Sequence, residues 1–472
     1  MLSPQGHFAE RAKEAVADAH LRAAVRRTVD RLRDLRRTTE ANDSAMPLRR
    51  EKARLVREHS VAALPHLLEQ FTQACRRNGT VVHRAADAAE ACGIALSLLR
   101  THAARRVVKS KSMVTEEIGL NEALERDGIE VTETDLGEWI IQLAGERPSH
   151  IILPAIHKTR HDVQRLFERE SGTTLSPDTA RLCAHARIRL REKFLQADAG
   201  ISGANFAVAS TGSIALFTNE GNGRLVTTLP RVHIAFMGME RVVADLDALA
   251  SMAEVLPRSA TGQKLTSYCT VITGPRGPGE LDGPEHLHVI IVDNGRSAVW
   301  RDPEFRDVLR CIRCAACLNV CPVYAQVGGH SYGGTYPGPI GAVLTPLLRP
   351  EQRSATELAE ASTLCAACTE ACPVGIPLHD MLVRLRRREQ ALHPHRVQRL
   401  MLRVAMRFAR SAKAGALPAL LRAASHGGTA IVLRKLVPAL DHWQRTRALP
   451  PAPAQTFRAL WPQLAQEAMN EH

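Results

Sequence analysis

Seven cysteines fall within 62 residues, from Cys311 to Cys372. The first run is Cys311-Ile312-Arg313-Cys314-Ala315-Ala316-Cys317-Leu318-Asn319-Val320-Cys321-Pro322, and the second is Cys365-Ala366-Ala367-Cys368-Thr369-Glu370-Ala371-Cys372-Pro373. Three cysteines two residues apart can wrap one face of an iron–sulfur cubane, while a fourth followed by proline is directed to the other cluster of a pair. The spacing therefore predicts a crosswise arrangement. One cluster takes Cys311, Cys314, Cys317 and Cys372; the other takes Cys321, Cys365 and Cys368. Two 4Fe-4S clusters are the expected cofactors. The second set is one thiolate short, because a full run needs cysteine at position 362, which is Ser362. Either Ser362, a water or a partner group completes a four-iron cluster, or the site holds a three-iron one. Zinc and disulfides are the competing assignments. Zinc closes four-ligand tetrahedral sets, which seven tightly spaced cysteines fit badly. Disulfides need an oxidising compartment, to which nothing in the sequence points.

Other chemistry is sparser. No Gly-x-Gly-x-x-Gly follows an apolar strand pattern, and no Walker-type phosphate loop occurs, so neither a Rossmann dinucleotide site nor a phosphate loop is supported. The Gly-rich turns Thr211-Gly212-Ser213 and 218–224 end two candidate strands and could form a pocket. There Arg224 could clamp a carboxylate or phosphate with two prongs, and Lys109 and Lys111 could add positive charge. The alternative is that Asn222-Gly223 is a hairpin turn and the lysines are solvated.

The elements that must position these residues can be read in outline. The 472 residues suggest two to four domains, and 45% hydrophobic with 24% charged residues is ordinary for a globular chain. Residues 1–60 read as a charged helical segment. Residues 61–300 read as an α/β domain with a largely parallel sheet, with candidate strands at 129–132, 151–154, 206–209, 214–218, 233–236, 268–272 and 287–292. Pro65 lies in a helical pattern that restarts or kinks there. Ser176 reads as an N-cap with Pro177 at the first helical position. Residues 301–385 read as a small two-cluster ferredoxin-like domain. Its Gly/Pro-rich stretch 328–341 argues against regular structure; it reads as an ordered loop over a cluster, because His330, Tyr332 and Tyr336 are interleaved with the glycines. Residues 386–472 read as a basic helical region, with Pro450, Pro451 and Pro453 marking a stiff linker and 457–461 an apolar knot. Cys75, Cys92, Cys183 and Cys269 are scattered singly and read as buried small hydrophobes.

The net charge of +13 is uneven. Residues 384–413 hold ten Lys or Arg against the single acid Glu389, with Val397, Leu400, Met401, Val404 and Phe408 at helical spacing. A basic amphipathic helix can pack on its own domain, grip an acidic protein partner or lie on an anionic membrane surface. Nucleic acid is not expected, because aromatics, which stack bases, are only 4% of the chain. Residues 1–20 lack an apolar h-region, and no apolar stretch is long enough to span a bilayer. These features predict a cytoplasmic protein, with peripheral contact at the inner membrane face as an option.

The segment 109–120 (KSKSMVTEEIGL), the stretch 210–224 (STGSIALFTNEGNGR), both Cys runs and the loop HSYGGTYPGPIGAVLTP together resemble the lactate-utilisation iron–sulfur protein B family. The resemblance covers nearly the whole chain. It implies a lactate-utilisation domain, similar in fold to sugar-phosphate isomerases and CoA transferases, followed by two 4Fe-4S clusters. It also implies two partner proteins, one of them Cys-rich, with which the family oxidises L-lactate to pyruvate without NAD. That family carries seven cysteines in these runs as well. The expected role is therefore an electron-transfer component. The alternatives are an autonomous enzyme with its 2-hydroxy-acid site in the α/β domain, or a redox-sensing or scaffold protein.

Overall fold

The computed structural model describes residues 7–392, 400, 402–403, 406–407 and 457–470. The chain divides into two compact units, Met1–Arg388 and Glu389–His472.

The centre of the first unit is a six-stranded parallel sheet. Its strands are β1 (Val81–Ala85), β2 (Arg106–Lys109), β3 (Glu130–Glu133), β4 (Ala199–Gly203), β7 (Val232–Gly238) and β10 (His286–Val292), in the order β1-β10-β7-β4-β2-β3. The middle strand β7, VHIAFMG, is buried at all seven positions. It reads as a continuous apolar run because helices cover both faces of a parallel sheet. A second, smaller sheet has the order β8-β5-β6-β9. It comprises β5 (Phe206–Val208), β6 (Ser213–Thr218), β8 (Val242–Val243) and β9 (Tyr268–Ile272). The architecture is an α/β core, a Cys-bearing region and a helical C-terminal part.

Several local expectations are corrected. Residues 151–154 are bends and turns, not a strand. The His150 ring accepts the backbone N–H groups of Ile152 and Leu153 through Nδ1, and Ile151 is buried against the Cys-bearing region rather than in a sheet. Strands β1, β2, β4 and β8 were not predicted; β1 carries His83 and Arg84, and β4, AGISG, is mostly small residues of low strand preference. The helix Thr179–Gln196 is capped by Asp178, whose carboxylate accepts the Arg181 N–H, while Ser176 holds the turn before it. The helix Met46–Ala62 stops and Leu64–Arg77 restarts with Pro65 in its first turn. The stretch 328–341 is partly regular. His330–Tyr332 is a 3-10 turn, and Gly338–Leu348 is an α-helix that tolerates Pro339 because its first turn needs no N–H partner there. Cys75 and Cys92 are buried, whereas Cys183 and Cys269 are exposed.

The N-terminal helices Phe8–Ala17, Ala19–Ala41 and Met46–Ala62 are not a separate layer. Their Ala15, Val25, Val29, Ala53 and Val61 share one apolar core with Cys314, Cys317 and Cys321. Most of the basic stretch 384–413, including Val397, Met401, Val404 and Phe408, and the prolines 450, 451 and 453 lie outside the described residues. Its first arginines are paired within the first unit. Arg384 donates to the Glu304 carbonyl, Arg386 to the carbonyls of Ala359 and Ser362, and Arg387 and Arg388 pair with Glu304. The knot at 457–461 opens the helix Phe457–Asn470. Among the described residues no helix is long and apolar enough to cross a membrane.

One side chain joins three segments of the first unit. Arg57, on the helix Met46–Ala62, is fully buried. Its guanidinium donates to the carbonyls of Glu240 and Val242 beyond the end of β7, and to those of Leu309 and Arg310 just before the first Cys run. Replacing it strands four buried carbonyls, each costing about 1–3 kcal/mol when unpaired. Arg57→Ala is expected to lower the urea midpoint by the equivalent of about 3 kcal/mol or more; an unchanged midpoint would show that water replaces the clamp.

Candidate iron–sulfur site

The two Cys runs fold alike. Residues 306–321 and 357–372 are offset by 51 positions, and each begins with a 3-10 turn, Arg306–Arg310 and Glu357–Glu360. Arg313 and Ala315 flank Cys314 with φ of 61° each; Leu364 and Ala366 flank Cys365 with φ of 57° and 63°. Left-handed conformation at non-glycine residues is uncommon and costs of order 1–3 kcal/mol each. Four such residues in matching places mark a backbone shaped for a ligand. Alternating right- and left-handed residues turn successive N–H groups into a concavity that favours anions, as at many iron–sulfur sites. A short helix then follows in each run, Ala316–Asn319 and Ala367–Ala371, before the Cys-Pro pair. The Tyr324 N–H points at Cys321 Sγ (3.5 Å) and the Ile376 N–H at Cys372 Sγ (3.4 Å).

The thiols influence one another in two groups. Burial pushes the Cys314 thiol up to about 12, with Cys372 and Cys311 adding to the rise. Burial likewise raises Cys372 to about 11, and its thiol neighbour is Cys311. Burial raises Cys317 further, helped by Cys311, Cys314, Cys368 and Cys372. In the other group burial raises Cys321, beside Cys365, and brings Cys368 to about 11, beside Cys321 and Cys365. Cys365 differs. It is exposed, and the Thr363 hydroxyl and the Ala367 N–H hold its thiol below the usual range. Crowded thiols of this kind ionise together only when a cation neutralises them. Ile151, Ile340, Val374 and Leu378 form an apolar wall beside Cys311, Cys314, Cys317 and Cys372. The loop at 328–341 closes the other side. Tyr324 and Tyr332 are buried there, and the Tyr332 hydroxyl, which has no hydrogen-bond partner of ordinary geometry, neighbours the Cys321 thiol. His330 instead turns to the Arg147 carbonyl (2.7 Å) and meets the His157 ring edge-on. The shaped backbone, the unpartnered hydroxyl and the convergent thiols fit iron–sulfur clusters.

Beside the first Cys run lies a buried ionic network that the sequence reading missed. Glu240 Oε2 meets Arg296 Nε at 2.7 Å, and its Oε1 meets Arg313 Nη2 at 3.3 Å. The Arg296 fork grips Glu117, whose Oε2 also accepts the Tyr336 hydroxyl (2.6 Å). Arg313 stacks on Tyr336 at 4.2 Å, and Arg241 donates to the Cys311 carbonyl. Burial alone would raise the Glu240 carboxyl, but Arg296, Arg241 and Arg313 hold it at about 2. With Arg57, four buried arginines face two buried glutamates, a surplus of two positive charges next to the thiols. The one available signal was Arg313, which stands inside the first Cys run.

A cavity of about 320 Å³ opens beyond the C-terminal ends of β2, β4 and β7, where ligands bind in open α/β sheets. Arg313 and Tyr336 form its wall towards the thiols. Of the three cations expected at a pocket, Lys111 lines it, 3.4 Å from Glu138. Lys109 is fully buried and holds Glu133 at 2.6 Å. Arg224 is exposed on the helix Asn222–Thr228 and is not on the cavity wall. Asn222-Gly223 begins that helix and is no hairpin turn. The turn at Gly212 joins β5 to β6 and packs on the helix Leu64–Arg77, where a Cβ would lie 2.5 Å from the Cys75 nitrogen. Glu220 does line the cavity; although the residue as a whole is exposed, desolvation of its carboxyl against the cavity wall first and Asp135 second push it up to about 7.

Comparison with known proteins agrees with this architecture. Residues 68–292 match the LUD domain family, and residues 307–376 match the 4Fe-4S dicluster domain family. Lactate utilization protein B of Bacillus licheniformis is 50% identical over 81% of this chain and 80% of its own length. The protein of that name from Macrococcus caseolyticus is 50% identical over 80% of each chain, and that of Bacillus subtilis is 48% identical over 80% of this chain and 79% of its own. A parallel α/β core that presents a doubled cysteine loop at its strand ends, with that degree of identity over four-fifths of its length, belongs to the lactate utilization protein B family.

Proposed function

We propose that this chain is the iron–sulfur electron-transfer subunit of an NAD-independent system that oxidises L-lactate to pyruvate. The observation that carries the reading is the pair of matched loops, in which seven thiols converge beside a surplus of buried arginine charge. The names of the relatives support lactate utilisation as the setting. In this reading Cys311, Cys314, Cys317 and Cys372 hold one 4Fe-4S cluster, and Cys321, Cys365 and Cys368 contribute to the other. Such clusters, when bound, accept and release single electrons. The chain's own residues hold the thiolates in place, exclude water from the first set and offset its charge. Oxidation of L-lactate to pyruvate releases two electrons and two protons. Two partner proteins, one of them Cys-rich, supply the substrate chemistry and the further acceptor. The purified chain with L-lactate and an artificial acceptor is expected to show no sustained turnover until the partners are added; robust turnover alone would overturn this division of labour.

Tyr332 supplies a second test. A hydroxyl aimed at a cluster sulfur stabilises the reduced form and raises the potential. Tyr332→Phe is expected to move one of two midpoints in an EPR-monitored redox titration to more negative potential. Two unchanged midpoints would remove Tyr332 from the site.

The cavity favours a second reading, in which the α/β domain itself takes a small organic acid. Arg313 belongs both to the first Cys run and to the cavity wall, and Glu220 offers a proton acceptor poised near neutrality. A carboxyl whose folded value is raised contributes stability below its unfolded value and loses it as pH rises through the folded one. Glu220→Gln is therefore expected to leave stability unchanged near pH 4.5 and to raise it at pH 8, by less than about 1 kcal/mol because the residue is exposed and screened by solvent. An equal change at both pH values would mean that Glu220 does not titrate near neutrality.

A further inference from the structure

The second Cys run lacks a cysteine at position 362; its 3-10 turn ends one residue earlier than that of the first run, yet from 362 onward its backbone follows the first. The first run enters from the 3-10 turn Arg306–Arg310 and reaches Cys311, whose Sγ accepts the Arg313 N–H at 3.4 Å. The second enters from the 3-10 turn Glu357–Glu360 and reaches Ser362, whose Oγ accepts the Leu364 N–H at 3.1 Å. Arg313 and Leu364 are both left-handed, and so are Ala315 and Ala366 on the far side of the next cysteine. The parallel extends to the clamps. Arg241 donates to the carbonyl of Cys311, and Arg386 donates to that of Ser362, the matching position. Cys311 and Ser362 are both partly buried. The serine oxygen thus takes the local position of a thiolate sulfur, with the same N–H donor behind it. The adjacent hydroxyl, Thr363, is engaged with the Cys365 thiol.

We infer that Ser362 is the fourth protein ligand of the second cluster, binding iron through Oγ and completing a four-iron site with Cys321, Cys365 and Cys368. This inference rests on the electron-carrier reading above. Ligation forms one iron–oxygen bond and releases the hydroxyl proton, with no change of oxidation state. An oxygen donor is harder than sulfur and holds this soft-ligand cluster less firmly, so the same iron is the one most readily lost.

The test uses the full chain, reconstituted anaerobically with iron and sulfide, as wild type, Ser362→Ala, Ser362→Cys and Thr363→Ala. Iron and labile sulfide are counted, and EPR spectra are taken of the oxidised proteins. Wild type and Thr363→Ala are expected to be EPR-silent. Ser362→Ala is expected to lose one iron per chain and to show a three-iron signal. Ser362→Cys is expected to restore the silent state and to retain iron longer under a chelator than wild type. A silent Ser362→Ala with wild-type iron content would overturn the inference while leaving the carrier reading intact. So would a wild-type protein that shows the three-iron signal as strongly as Ser362→Ala. Absence of iron and sulfide from all four proteins would overturn both.

Discussion

The structure depends on uneven charge buried where the sheet meets the first Cys run. Arg57, Arg241, Arg296 and Arg313 are enclosed with only Glu117 and Glu240 between them. Enclosing an ion costs several kcal/mol even after relaxation, and an unmatched guanidinium would not persist in an apolar core. Two features make the arrangement tenable. Backbone carbonyls absorb the Arg57 guanidinium, and the Cys311 thiol lies beside Arg313 and Arg241, where thiolates holding a cluster would meet the remaining charge. The arginines also fix geometry. Through them the end of β7, the helix Met46–Ala62 and the turn before Cys311 are one rigid piece, and the thiols sit at the strand ends rather than on a tethered appendage.

The two loops share a backbone but not an environment. Cys314 is buried behind an apolar wall, while its counterpart Cys365 is exposed. The inner set faces the cavity through Arg313, and the outer set, with Cys321 and Cys368 buried, reaches solvent at Cys365. Cys317, whose thiol is also raised by Cys368, links the two sets. In the proposed electron-carrier reading, one enclosed and one accessible end would suit transfer from the cavity side to a partner docking at the surface.

Much of this was legible in the sequence because metal-binding loops and buried parallel strands write themselves locally. Cysteines at fixed spacing constrain a loop whatever surrounds it, and the apolar runs of β7 and β10 have no other use. The ionic network was not legible. Arg57 lies among Arg49, Arg50 and Arg54 on a helix rich in charge, and nothing local distinguishes the one that is buried. Lys109 was read as solvated or anion-binding for the same reason, although Glu133 and Glu116 hold it in the core. The N-terminal helices were read as a separate segment, because their small apolar residues, Ala15, Val25 and Ala53, match a core assembled from residues three hundred positions away. The helix Gly338–Leu348 was hidden by its own glycines and prolines. Gly341 is needed there because a Cβ would lie 1.6 Å from the Tyr336 carbonyl oxygen. Ser362 was legible as a gap, and its position in the loop only from the backbone around it.

The central claim is that two iron–sulfur clusters are held close together by thiols exchanged between the two loops. EPR of the anaerobically purified chain, fully reduced, tests it most directly. Two clusters seated as the loops require will give a broadened spectrum from magnetic interaction between two reduced centres, integrating to two spins per chain. A colourless protein that carries zinc, or a spectrum of one isolated centre at full iron occupancy, would contradict it.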